Sequence, residues 1–456
     1  MSYLIKNLKA VFGQNSDITD IRLQGNRIVE LGSKLTAQVD ETIIDGQRCV
    51  AYPGFVNTHH HLAQSVLKGI PAGLNQPLNE WLASVPYQHW PHMDPELIYI
   101  AAKLGLYEGL RSGVTTCADH HYLYHQHSSP ELEDASWQAA DELGMRFVLC
   151  RGGANVVGSH KGLANAGIAP ETLDQTLFRL QTSVSRYHQS SNDAMRKLVV
   201  APTSLIHSTT PDQLIELARY ARSEKLRLHS HLLEVDFDQQ QSHARYHCPA
   251  IDFAEQVNWL GNDVWFAHLV KADRYTIERL AATGTAISHC PTSNCRLGSG
   301  IAPIIEMENA GMTISLGVDG SASSESASML QELNLAWLLH RATQGANATS
   351  IEKVIQWATQ GGARVLGYDQ LGTIAVGQLA DVVLFDISAT RYTGVHSTIA
   401  APVLLGEPAQ VRYSFINGKL VVNDGNVQGI DETALIKDAN LALTKLMKTV
   451  QGYATH

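Results

Sequence analysis

Cysteine is scarce: six occur in 456 residues and none forms a CxxC pair, so the thiols read as reduced side chains rather than a disulfide frame. Cys290 and Cys295, flanking Pro291-Thr292-Ser293-Asn294, are the only pair close enough to suggest a metal, and one pair makes a weak case. No apolar run reaches the length of a membrane span. The N-terminus lacks the basic, then apolar, then small-residue order of a secretory signal. A cytoplasmic protein with no membrane partner is expected. Basic excess is also missing: the net charge of -10 argues against a nucleic-acid partner.

What is present is length beyond one ordinary core, so two folded units are expected. The most informative stretch is Asn57-Thr58-His59-His60-His61, which closes the apolar run Cys49 to Val56. On a strand, alternation sends His59 and His61 to one face, where two imidazoles can hold one metal ion. A tag-like tract would sit at a terminus, and this one follows a strand-like segment punctuated by Pro53-Gly54. His60 points to the opposite face, towards surrounding helices, and no metal contact is expected of it.

Three further strand-like runs end in residues a metal site needs. Leu226 to Glu234 offers His231 as a nitrogen ligand and Glu234 as a carboxylate just past the strand. Val264 to His268 ends in a histidine, and Met312 to Asp319 ends in a lone aspartate before Gly320. Singly, each has an ordinary explanation as a packed histidine or a turn-starting aspartate. Together they fit the mouth of a (β/α)8 barrel, where the C-terminal ends of successive parallel strands converge.

The barrel strands are expected at Ala51–Asn57, Val114–His120, Arg146–Arg151, Leu198–Pro202, Leu226–His231, Val264–His268, Gly284–His289 and Thr313–Asp319. Helical periodicity lies between them, as in Pro95–Ser112, Ser136–Gly144, Pro211–Glu224 and Arg274–Ala282. Both chain ends are β-rich. Asn26 marks a turn in the first, and Asn417-Gly418 joins Tyr413–Ile416 to Lys419–Val422 in the second. The expected architecture is α/β: a distorted (β/α)8 barrel over 51–368, a small β-sandwich built from 1–50 and 369–430, and a closing helix within 431–456.

This motif set resembles that of the amidohydrolase superfamily, in its mononuclear-metal deaminase and chlorohydrolase branch. The resemblance rests on Asn57 to His61, His231 with Glu234, His268, His289-Cys290-Pro291-Thr292-Ser293-Asn294, Val318-Asp319-Gly320 and the returning segment Gly377 to Val383. Binuclear members carry a bridging Lys or Glu at the end of strand four; here that strand ends Val200-Ala201-Pro202-Thr203-Ser204. One metal is implied, zinc first and ferrous iron second, held by His59, His61, His231 and Asp319. Such an ion lowers the pKa of a water from near 16 towards about 7. Asp319 would take the water's proton, Glu234 would protonate a ring nitrogen, and His268 would hydrogen-bond the water or the developing oxygen.

The resemblance also implies a small heterocyclic substrate, loss of ammonia and a homodimer. Gln64 matches a glutamine that contacts the ring's amide edge in this branch. Leu67 to Leu74, Trp81-Leu82-Ala83, Asp119-His120-His121-Tyr122 and Arg151-Gly152-Gly153-Ala154 are most similar to members that deaminate isoxanthopterin and other 2-amino pterins, with pterin 6-carboxylate as a further candidate. Members acting on 8-oxoguanine share part of this pattern and stand as the alternative, with a chlorohydrolase or ring amidohydrolase behind them. Arg151 is the candidate reader of the substrate's second carbonyl, and His121, Tyr122 and Trp81 are candidates for stacking on or bonding the ring.

Overall fold

Gly54 divides the first apolar run into two strands that belong to different sheets. Cys49–Pro53 pairs antiparallel with Val382–Asp386, whereas Phe55–His61 pairs parallel with Val114–His121. The single strand expected over Ala51–Asn57 is therefore corrected. The division has a steric cause: a Cβ on Gly54 would lie 2.1 Å from Thr115 Oγ1, so only glycine lets the chain pass this closely. The structure, a computed structural model, describes residues 1–157 and 167–454, with side chains as far as residue 450.

The barrel strands run in chain order as Phe55–His61, Val114–His121, Arg146–Arg151, Arg196–Val200, Arg227–Leu232, Val264–His268, Ala286–His289 and a split eighth. Each pairs in parallel with its predecessor. The eighth consists of Ile314–Leu316, paired with the seventh, and Asp319–Gly320, paired with the first. Asp319 lies opposite His60 and Gly320 opposite His61, so the sheet closes on itself at the residues of interest. Most positions on these strands are buried on both faces, which is why they read as nearly continuous apolar runs.

The connecting helices begin where local chemistry allows. Asp94 caps Pro95–Arg111 by accepting from Leu97 N, and Thr172 and Thr210 form capping boxes with Gln175 and Gln213 ahead of Leu173–Tyr187 and Pro211–Ser223. The helix expected from Ser136 begins earlier and spans Glu131–Glu142, its first turn carrying Glu131, Glu133 and Asp134, which suit a helix N-terminus.

Both chain ends build the second unit. A four-stranded sheet holds Ser2–Lys6, Asp20–Gln24, Arg27–Gly32 and Thr42–Asp45; a six-stranded sheet joins Ala10–Val11 and Cys49–Pro53 to Val382–Asp386, Gln410–Ile416, Lys419–Asn423 and Asn426–Val427. Asn417 (φ 49°) and Gly418 (φ 74°) turn the second hairpin with two positive φ angles, as a primed turn requires. A Cβ on Gly418 would lie 1.8 Å from the Gly25 carbonyl oxygen, so the tips of the two terminal hairpins meet. Asp381 fixes this junction to the barrel: its Oδ1 accepts from Asn417 N at 2.8 Å and lies 2.9 Å from Nη2 of Arg146 on the third barrel strand.

The last helix, Glu432–Ala454, packs Leu446 and Val450 into an apolar cluster with Trp90, Leu97 and Ile98. Among the described residues no helix is long and apolar enough to cross a membrane.

Candidate active site

Four strand ends meet at one mouth. His59 and His61 come from the first barrel strand, His231 from the fifth, His268 from the sixth and Asp319 from the closing segment of the eighth. Asp319 Oδ1 lies 3.3 Å from His59 Nε2 and 3.2 Å from His61 Nε2, and the Nε2 atoms of His61 and His231 are 3.3 Å apart. Two overlapping groups of donor atoms within 4.8 Å could hold a cation: His59, His61, His120 and His231, and His59, His231, His268 and Asp319. The backbone is strained here. Leu233, His268, Leu269 and Asp319 all have positive φ, between 45° and 74°, without being glycine. Of these four, His268 and Asp319 reach the mouth, while Leu233 and Leu269 pack into the core.

Hydrogen bonding fixes which ring nitrogen each ligand presents. His61 Nδ1 donates to the His120 carbonyl at 2.7 Å and His231 Nδ1 donates to the Thr203 carbonyl at 2.5 Å, because a carbonyl can only accept. Both Nε2 atoms therefore carry lone pairs, and those lone pairs face each other beside a carboxylate. Such a group calls for one positive charge at its centre. The proton affinities agree: burial pushes His59 down to about 3 and His231 well below the usual range. In His61 burial acts the same way but is outweighed by the neighbouring Asp319 carboxylate, which raises it. Burial likewise works to raise Asp319, but the close approach of His59 and His61 prevails and holds it well below the usual carboxylate range. Three imidazole lone pairs and one carboxylate make a donor set suited to zinc.

Beside the cluster lies a carboxyl of opposite character. Glu234 is buried, and burial raises it to about 7, opposed by His268 and aided by Asp319. Its Oε2 is 3.5 Å from His268 Nε2, while Ser299 Oγ donates to Oε1 at 3.4 Å. His268 Nδ1 donates to Asn294 Oδ1 at 2.9 Å, which turns Nε2 towards the cleft. Ser293 and Ser323 donate to Asp319 Oδ2 at 2.5 and 3.1 Å, leaving Oδ1 on the histidine side. Two carboxyls of widely separated acidity, one ionised and one able to hold a proton near neutrality, supply a base and an acid.

The cleft above is lined by His61, Gln64, Trp81, Tyr87, Tyr122, His207, His231, Glu234, Phe237, Asp238, His268 and Asp319, among others. Gln64 Nε2 donates to the Tyr122 hydroxyl at 3.1 Å, and its Oε1 and the indole N–H of Trp81 are buried without a hydrogen-bond partner among the described residues. The structure thus brings Gln64, Trp81 and Tyr122 to the cleft.

Two expected residues are elsewhere. Arg151 is buried away from the cleft, where it forms a two-pronged ion pair with Glu171 at 2.8 and 3.0 Å and lies over the Tyr124 ring at 4.0 Å. It is absent from the cleft lining. His121 packs against Tyr124, with ring centroids 4.9 Å apart, and is absent from the lining. Alternation instead turns His120 inward, its ring stacked on His231 at 4.8 Å. His60 faces the helices as alternation predicts: a Cβ on Gly105 would lie 3.3 Å from its Nε2.

The sequence reasoning missed His120, His229, His207, Phe237, Asp238 and Tyr87. A signal existed only for His229, which shares its strand face with His231.

Comparison with known proteins agrees with this geometry. Residues 50–421 match the model of the amidohydrolase family. The chain is 42% identical over 446 residues to an isoxanthopterin deaminase of an unknown prokaryotic organism, covering 94% of this chain and 92% of that protein. It is 36% identical over 451 residues to the 8-oxoguanine deaminase of Pseudomonas aeruginosa, covering 97% and 98%. Among solved structures, an amidohydrolase from an environmental sample of the Sargasso Sea superposes with a TM-score of 0.86 at 38% identity, covering 99% and 100%. An atrazine chlorohydrolase from Arthrobacter aurescens TC1, solved with zinc, gives 0.89 at 27% identity, covering 97% and 100%. The chain belongs to the amidohydrolase family and is a hydrolase acting on C–N bonds.

Proposed function

We propose that the protein is a zinc-dependent aminohydrolase that removes the 2-amino group of a pterin, such as isoxanthopterin or pterin 6-carboxylate, as ammonia. The observation that carries this reading is Glu234, a buried carboxyl raised to about 7 and facing His268 beside the His59–His61–His231–Asp319 cluster. An amino-bearing carbon between two ring nitrogens is a poor electrophile until one nitrogen is protonated. Glu234, raised towards neutrality, is available in its protonated form and stands where it can give that proton up.

When bound, the ion supplies hydroxide at neutral pH by lowering the pKa of a water to about 7. Asp319, ionised and backed by Ser293 and Ser323, accepts the proton that water loses. His268, held by Asn294, presents Nε2 to the oxygen being added. The ring carbon becomes tetrahedral, a proton passes from Asp319 or Glu234 to the amine, the C–N bond breaks and ammonia leaves. Water has then replaced the amino group by a carbonyl. Gln64, which lines the cleft, would contact the ring's amide edge, and Trp81 would pack beside it.

The second reading is an 8-oxoguanine deaminase, and the position of Arg151 favours keeping it. Arg151, expected to read the far carbonyl that both substrates carry, is tied to Glu171 and so does not separate them. Both substrates carry a 2-amino group beside an amide, and Gln64 and Trp81 suit either.

Side-by-side ultraviolet assays of the zinc-loaded protein on isoxanthopterin and 8-oxoguanine, with ammonia detected in parallel, test the proposal. A kcat/KM clearly higher for isoxanthopterin is expected. Preference for 8-oxoguanine would transfer the enzyme to the second reading with its residues in the same roles. Turnover of neither would overturn both.

A further inference from the structure

A chain of hydrogen bonds lies beneath His59. Its Nδ1 is 2.8 Å from Nε2 of His229, and His229 Nδ1 is 2.9 Å from the Trp265 carbonyl oxygen. The carbonyl can only accept, so the His229 proton sits on Nδ1 and its Nε2 is a lone pair. That lone pair in turn requires the His59 proton to be on Nδ1. His59 Nε2 is then bare, and it is the atom that faces Asp319 at 3.3 Å with no hydrogen-bond partner among the described residues.

The support is anchored at both ends. The His229 ring stacks on the Trp265 indole with centroids 4.4 Å apart and planes 15° from parallel, and Trp265 Nε1 donates to the carbonyl of Thr58 at 3.2 Å, one residue before His59. Thr58, His59, His229 and Trp265 therefore form a closed ring of contacts spanning barrel strands one, five and six. His61 and His231 take their Nδ1 acceptors from backbone carbonyls. His59 differs from both, because its acceptor is a side chain that could itself adopt the wrong tautomer.

We propose that His229 is a positioning residue that sets the tautomer of His59 and thereby the strength of the metal site, with Trp265 fixing His229 in turn. The inference rests on the metal-site half of the proposed function and is independent of which heterocycle is the substrate. Partners of this kind typically alter metal affinity about 10- to 100-fold when removed.

Zinc transfer from the loaded protein to a chromophoric chelator tests it, on His229→Gln, His229→Asn and His229→Leu. The Gln amide reaches the place of the ring's Nε2 and can accept from His59; the Asn amide is polar but stops near the place of Nδ1; Leu offers no acceptor. Expected are near-wild-type zinc retention for Gln and about 10- to 100-fold weaker retention for Asn and Leu. Asn and Leu variants that hold zinc as tightly as wild type would overturn the proposal, as would a Gln variant as weak as the other two. If the Leu variant does not fold, Gln against Asn decides. Because the readout is metal retention, failure here is distinguishable from an enzyme that turns over neither isoxanthopterin nor 8-oxoguanine.

Discussion

The hydroxyl of Ser293 donates to Oδ2 of Asp319 across 2.5 Å. The next residue, Asn294, holds His268, and Ser299, shortly after the same helical turn, reaches Glu234. One short segment after the seventh barrel strand therefore supports all three groups placed in acid–base roles. Hydrogen bonds to an ionised group contribute about 1.5–3 kcal/mol, so Ser293→Ala should lower kcat/KM by roughly one to two orders of magnitude. It should also move the acidic limb of the pH–rate profile upward, since the carboxylate loses a donor that favours its charged form. An unmoved limb would remove Ser293 from the scheme.

Glu234→Gln keeps the shape of the side chain and removes its proton chemistry. The expected loss in kcat is about 10²- to 10⁴-fold, with zinc content unchanged by metal analysis. In the wild-type enzyme the acid works in its protonated form, so kcat/KM should fall as pH rises past about 7. A bound cation favours the carboxylate, which places that limb at or below this value. A Gln variant of near-normal rate would assign the acid elsewhere.

Arg151→Met separates the support role from substrate reading. Removing one partner of a buried pair costs about 3–5 kcal/mol, and Glu171 keeps Arg179 at 2.8 Å, so the loss should fall at or below that range. The melting temperature should drop while KM for the preferred substrate stays near wild type. A large rise in KM without loss of stability would return Arg151 to the cleft.

Glu332 is buried behind the same segment, where it accepts from Thr292 N at 3.0 Å, and burial raises it to about 8. Its folded-state pKa lies above the ordinary glutamate value of 4.5, so the protonated form favours folding. That stability is fully present below about 4.5 and is lost as pH rises through about 8. Glu332→Gln cannot ionise, and its melting temperature relative to wild type should climb between these limits in thermal unfolding series. A constant difference across the range would show that Glu332 does not titrate there.

Most of the site was legible because its residues end apolar runs in an order only a parallel barrel brings together. Parity within strands was not. Val114–His121 is buried on every face, so no polar alternation distinguishes His120, which faces inward, from His121, which does not. The placement of Arg151 was hidden for a related reason: a charged residue at a strand end resembles a ligand reader, and its partner Glu171 lies on a different segment. The boundary at Gly54 depends on Thr115 pressing against the backbone, a contact between strands that sequence pattern does not encode.

Barrel closure places the candidate ligands on a seam. Asp319 belongs to the two-residue segment that joins the eighth strand to the first, and His59 and His61 stand on the other side of that join. An ion shared among them is a clasp across a pairing only two residues long. Occupancy of the site and integrity of the barrel are consequently linked, and an enzyme stripped of its ion should begin to fray where its catalytic groups stand.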